Sequence, residues 1–125
     1  MVALDSNILL RALVGDGGEL VSRARAIIAR AKPASLHIDR IILEECSYVL
    51  RSHYGYEKEK IVGWLHSMLA DERMYIPDRE IVGLTVDIFG REKPLSFEDS
   101  WLLALKKSGT VTSVKTFDEA LAKRI

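Results

Sequence analysis

Met1-Val2-Ala3-Leu4-Asp5-Ser6-Asn7-Ile8-Leu9-Leu10-Arg11 changes character at its fifth residue. Before Asp5 the chain is apolar. After it come Ser6 and Asn7, which like Asp5 favour helix caps and turns. The stretch reads as a first strand at about residues 1–5 and then a helix carrying Ile8, Leu9, Leu10, Leu13 and Val14.

The same alternation recurs along the chain. Leu20, Ala24, Ile27, Ile28 and Ala31 fall at helical spacing over residues 19–31, and Pro33 closes that segment. Ser35-Leu36-His37-Ile38 reads as a second strand. Helices at about 40–54 and 57–71 follow, the first stopped by Gly55. Met74-Tyr75-Ile76 reads as a third strand, with helices at about 79–90 and 97–107 after it. Thr110-Val111-Thr112-Ser113 reads as a fourth strand, and Thr116-Phe117-Asp118-Glu119 opens a last short helix. Short strands joined by helical crossovers predict an α/β fold with a parallel sheet and helices on both faces.

The chain has 125 residues, so one domain over 1–125 is expected. A hydrophobic share of 48% supplies a core, and a charged share of 29% supplies an ordinary solvated surface. Lys plus Arg and Asp plus Glu both count 18, a balance unlike that of a duplex-coating basic protein. No apolar run reaches the roughly 18 residues of a membrane span. The N-terminus has no basic region of the kind that opens a signal peptide. Cys46 is the one cysteine, so no internal disulfide is possible. A cytoplasmic protein with no membrane partner is the expectation.

Four acids stand where chemistry is expected. In parallel sheets, ligands bind beyond the carboxyl ends of the strands. Asp5 follows strand one, Asp99 lies in the first turn of a late helix, and Asp118 begins the turn after the expected fourth strand. Each also has a structural reading. Asp5 suits an N-cap, Ser96-Phe97-Glu98-Asp99 resembles a capping box, and Asp118 suits a helix dipole. Glu45 has Ile41, Ile42, Tyr48 and Val49 as its helical neighbours, so it is expected on the core-facing stripe, with Glu44 on a mixed boundary. A carboxylate there needs a cation, a protonated neighbour or a metal. With no His or Cys spacing among them, such acids favour a hard cation, Mg²⁺ or Mn²⁺. Cys46 reads as a small core residue.

The residues around these acids resemble the PIN-domain family, especially its VapC-like toxin ribonucleases. The resemblance rests on four stretches in order: Val2-Ala3-Leu4-Asp5-Ser6-Asn7-Ile8-Leu9-Leu10-Arg11; Glu45-Cys46-Ser47-Tyr48-Val49-Leu50-Arg51 with Tyr54-Gly55; Phe97-Glu98-Asp99-Ser100-Trp101-Leu102; and Thr116-Phe117-Asp118-Glu119-Ala120-Leu121. It implies a three-layer α/β/α sandwich with a mainly parallel sheet. It also implies an Mg²⁺- or Mn²⁺-dependent endoribonuclease, with Asp5, Glu45, Asp99 and Asp118 as catalytic and metal-holding acids. Ser6 or Asn7 would support Asp5, and Thr116 would support the final turn. Relatives often carry a further Asp where this chain has Ser96, which leaves one metal or two open. Lys115 stands where relatives tend to be apolar.

The implied chemistry is metal-assisted hydrolysis of an RNA phosphodiester. Arg11, Arg51 and Lys115 are the candidate RNA-binding cations, with Lys106 and Lys107 beside them. The implied partners are RNA, a second copy of the chain and a small antitoxin protein presenting Arg to the acidic groove. Tyr54, Tyr56 and Trp64 are the expected apolar surface for the dimer. Two alternatives stand beside this reading. One is a non-catalytic PIN-like module that binds RNA or protein. The other is an aspartyl phosphotransferase, whose Asp-x-Asp signature is broken here by Asn7.

Overall fold

Each strand ends in a buried aliphatic residue and then an aspartate that starts a helix. In the computed structural model, which describes residues 1–125, β1 (Val2–Ala3) runs through Leu4 to Asp5, the N-cap of α1 (Ser6–Val14). The second strand, β2 (Leu36–His37), runs through Ile38 to Asp39, the N-cap of α3 (Arg40–Ser52). The third, β3 (Met74–Tyr75), runs through Ile76 and Pro77 to Asp78, the N-cap of α5 (Arg79–Arg91). Leu4, Ile38 and Ile76 are all buried and anchor the strand ends in the core. The polar aspartates that follow stop the strands and begin the helices. Between these units lie α2 (Glu19–Ala29) and α4 (Lys58–Ala70), and after them come α6 (Phe97–Lys107) and α7 (Glu119–Ala122).

The sheet order is β1-β2-β3, all parallel, with Val2 opposite Leu36 and Leu36 opposite Met74. Parallel pairing puts Asp5, Asp39 and Asp78 at one edge, where α1, α3 and α5 begin. The result is an α/β sandwich whose main core joins Leu9 and Leu10 of α1, Leu43, Cys46 and Leu50 of α3, Ile61 and Leu65 of α4, and Val82 and Val86 of α5. A second cluster of Ile88, Leu95, Leu103, Ala104 and Leu121 fastens α7 to α5 and α6. No helix is long and apolar enough to cross a membrane.

Three expectations are corrected. Residues 110–113 form no strand: the N–H of Val111 bonds back to the carbonyl of Leu105, and Thr110, Thr112 and Ser113 are exposed. Their β-branched composition favours a strand only where neighbours cover it, and here nothing does. The phase of α3 also differs. Its buried stripe is Leu43, Cys46, Ser47 and Leu50, whereas Ile41 is 59% and Tyr48 71% exposed. Glu45 therefore points to solvent, and Glu44 is the half-buried glutamate. Ile41 and Tyr48 suggested a core face because they are apolar, yet exposed apolar residues are common on folded surfaces. Finally, Tyr56 and Trp64 pack against the chain's own main core, so of the three residues expected at a dimer surface only Tyr54 is exposed.

The observed phase of α3 has a direct consequence. Leu43→Ala should lower unfolding free energy by about 2–5 kcal/mol, the usual loss for a buried Leu. Tyr48→Ala should change it by no more than about 0.5 kcal/mol. Urea unfolding of both variants checks the assignment, and equal losses would contradict it.

Candidate functional site

Three of the four candidate acids are fixed by the same local chemistry. The first turn of a helix leaves backbone N–H groups without partners inside the helix. Asp5 accepts the N–H of Ile8 on Oδ1 at 3.2 Å. Asp118 accepts the N–H of Leu121 on Oδ1 at 2.9 Å. Asp99 accepts the N–H of Ser96 on Oδ2 at 3.4 Å, while Ser96 Oγ accepts the N–H of Asp99 at 3.1 Å, a complete capping box. The structural readings of these residues are therefore all realised. Each aspartate spends one carboxylate oxygen on a backbone N–H and keeps the other free of protein hydrogen bonds.

Ser96 belongs to this capping machinery. Its carbonyl also accepts both the N–H and the hydroxyl of Ser100. Thr116 Oγ1 accepts the N–H of Asp118 at 3.0 Å and so shapes the turn into α7. Ser6 is buried, and its carbonyl faces the Cys46 thiol at 3.8 Å, which ties the start of α1 to the middle of α3. Asn7, Arg11, Arg51 and Lys115 are exposed.

The Cys46 thiol against the Ser6 carbonyl brings the chain beside Glu45 to the chain beside Asp5. Burial, then the negative charges of Glu45 and Asp5, push the Cys46 thiol up to about 12. The thiol stays protonated at neutral pH and is no nucleophile. Glu45 and the first turn of α6 then share an open groove of 540 Å³ between α3 and α6, whose walls include Glu44, Tyr48, Arg51, Phe89, Ser96, Phe97 and Glu98. Arg40 of α3 lies over the Trp101 ring of α6 at 4.4 Å and holds the two helices together there. Of the four candidate acids only Glu45 lines this groove; Asp118 caps α7, placed by the packing of Leu121 against α6.

Glu44 is the groove residue that sequence reasoning did not select. Its Oε1 is sealed from solvent and has no hydrogen-bond partner. Burial first, then the nearby Glu98 carboxylate, raise its pKa above the ordinary value, with Arg40 acting in the opposite direction. The signal for it was available: Leu43, Cys46, Ser47 and Leu50 have the i, i+3, i+4, i+7 spacing of a buried stripe, which puts residue 44 at its flank.

The donor set suits a hard divalent cation. Asp5, Glu45, Asp99 and Asp118 form no ion pair, so each has carboxylate oxygens uncommitted to a cationic side chain. Oxygen donors of this kind favour Mg²⁺ or Mn²⁺. The four do not make a preformed cage, since no three Asp, Glu, His or Cys side chains lie at ligating spacing. The residues fit the ion by donor chemistry alone, and the structure does not gather them at ligating distance.

Glu44 gives a pH test. Its folded-state pKa lies above its unfolded value, so the folded protein holds a proton that the unfolded chain releases more readily. Stability should fall as pH rises from the unfolded pKa through the folded one. Glu44→Gln should remove that decline, leaving the variant more stable than the wild type at pH 7 and closer to it at pH 4. Thermal melts across that range check this. A variant less stable at pH 7 would mean that the charged carboxylate has a partner.

Comparison with known proteins gives one match: the PIN-domain family model covers residues 2–124 of this chain. No curated protein and no solved structure matches it.

Proposed function

Because the chain belongs to the PIN-domain family, a nuclease-type fold, we propose that it is a divalent-metal-dependent endoribonuclease that hydrolyses RNA phosphodiester bonds. We read residues 1–125 as one such domain. The observation that carries the reading is the contact of the Cys46 thiol with the Ser6 carbonyl at 3.8 Å, which brings together the chain next to Glu45 and the chain next to Asp5, neither acid forming an ion pair. In this reading Asp5, Glu45, Asp99 and Asp118 hold Mg²⁺ or Mn²⁺. When bound, such an ion supplies Lewis-acid stabilisation of phosphoryl charge and lowers the pKa of a water.

The chain's own residues do the rest. The caps at Asp5, Asp99 and Asp118 fix one oxygen of each carboxylate and leave the other to face solvent or ligand. Glu45 is exposed and free to reach the same ion as Asp5. Asp99 or Asp118 serves as the group that orients or deprotonates the attacking water. Arg51 on the groove wall, with Arg11 and Lys115, meets the RNA backbone, where cations contribute affinity without reading sequence.

A VapC-like toxin role is part of the proposal. The groove between α3 and α6 suits an antitoxin segment that presents an Arg side chain, because Glu44, Glu45 and Glu98 outnumber its one cation, Arg51. A homodimer and a cytoplasmic location complete it. A second reading, a module that binds RNA or protein without cutting, draws on the fact that the acids are not gathered at ligating spacing.

The deciding experiment is cleavage of labelled RNA with Mn²⁺. Wild type should cut, excess EDTA should abolish cutting, and Asp5→Asn and Glu45→Gln should each reduce the rate at least about a hundredfold, the scale expected when a positioned catalytic group is lost. Cutting that persists in EDTA and in Asp5→Asn would refute the mechanism. RNA binding without cleavage would favour the second reading.

Growth and mass address the remaining parts. Expression of wild type should arrest growth, and expression of Asp5→Asn should not. Light scattering at tens of micromolar should give the mass of two chains. Harmless wild-type expression counts against the toxin role, and a monomeric mass counts against the dimer.

A further inference from the structure

Lys58, the first residue of α4, is almost wholly buried, yet it touches no carboxylate. Its Nζ donates to the carbonyls of Glu92 at 2.9 Å, Lys93 at 3.0 Å and Leu95 at 2.8 Å. It also sits 4.2 Å over the Phe89 ring. An ammonium has three N–H donors, and all three are used. Burial, reinforced by Arg51 and Lys93, pulls its pKa down to about 8, and the three carbonyls are what compensate for removing the charge from water. These carbonyls belong to the turn after α5, where a helix end leaves acceptors unpaired and favours a cation.

Two of the candidate acids depend on that turn. On one side it leads from Leu95 into Ser96, whose capping box sets the Asp99 carboxylate. On the other, Glu92 Oε2 accepts Arg124 Nε at 3.1 Å, and Arg124 Nη1 donates to the carbonyl of Ala120 at 2.7 Å, inside the short helix capped by Asp118. Leu95 and Leu121 also pack in one apolar cluster. Residues 92–95 thus form a hub with one arm to Asp99 and one to Asp118.

We propose that Lys58 is a positioning residue: by clasping the turn from Glu92 to Leu95, it sets the first turns of α6 and α7 and hence the carboxylates of Asp99 and Asp118. As a statement about a metal site it rests on the function proposed above. As a statement about the clasp it can be tested without that function.

The test uses full-length wild type, Lys58→Met, Lys58→Arg and Glu92→Gln, each at a temperature where it is folded. Two quantities are read: the Mn²⁺ dissociation constant by calorimetry, and hydrogen exchange at the Asp99 and Leu121 amides, the N–H groups held by Ser96 and Asp118. Lys58→Met should speed exchange at both amides, leave the amides of α3 unchanged, and weaken Mn²⁺ about tenfold, as loss of supporting residues around metal ligands does. Lys58→Arg, which keeps the charge, should recover part of the affinity. Glu92→Gln should speed exchange at Leu121 alone and weaken Mn²⁺ less. It stands in for Lys58→Met should that variant fail to fold. Wild-type exchange and Mn²⁺ affinity in folded Lys58→Met, or wild-type exchange at Leu121 in Glu92→Gln, would overturn the proposal. If wild type binds no Mn²⁺, the metal reading fails, and the exchange rates still decide whether Lys58 sets the two turns.

Discussion

A helix cannot satisfy the N–H groups of its own first turn, and this protein meets that need with carboxylates. The bonds from Ile8 to Asp5, from Ser96 to Asp99 and from Leu121 to Asp118 are ordinary caps, worth about 1 kcal/mol each. They also dictate where three negative charges stand. A cap orients its carboxylate against a rigid helix end, so the acid is held by backbone and not by a flexible side-chain network. The site proposed here is a by-product of how the helices begin, which is why the structural and chemical readings of these aspartates do not compete.

The groove between α3 and α6 adds a second constraint. Its Glu44 has an oxygen removed from water with nothing to replace the lost hydrogen bonds. An unsatisfied buried polar atom is unfavourable by about 1–3 kcal/mol. Glu98 across the groove makes matters worse, while Arg40, the one cation that acts on Glu44, also lies over Trp101. The groove is therefore poised for positive charge, a property that comes from packing and is shared by the acids it contains.

Much of this was legible in the sequence. All seven helices lie where apolar spacing and caps put them, because the signals were local: Pro33 after α2, Gly55 after α3, and the Ser96–Asp99 capping box. Gly55 shows how specific such a signal can be. It adopts a left-handed φ of 69°, a conformation that other side chains rarely take. What was not legible depended on tertiary context. Thr110 to Ser113 has strand composition but no covering neighbour. The phase of α3 turned on whether Ile41 and Tyr48 were core or surface, because helical spacing fits a stripe through them as well as the stripe through Leu43, Cys46, Ser47 and Leu50 that is buried. Lys58 resembled any surface lysine, since its three carbonyl partners are more than thirty residues away along the chain.

The strands are two residues long, and β1 lies at the rim of the sheet with Val2 more than half exposed. Without a fourth strand, that rim presents unpaired backbone groups to solvent. A longer rim of this kind would be a template on which further chains could add, the usual start of aggregation. Here a newcomer would gain only one or two backbone bonds, too few to offset the ordering of its own segment. Brevity thus protects the sheet from growth, and it hands the work of cohesion to the helices. The barrier to misassembly in this protein lies in how little sheet it offers.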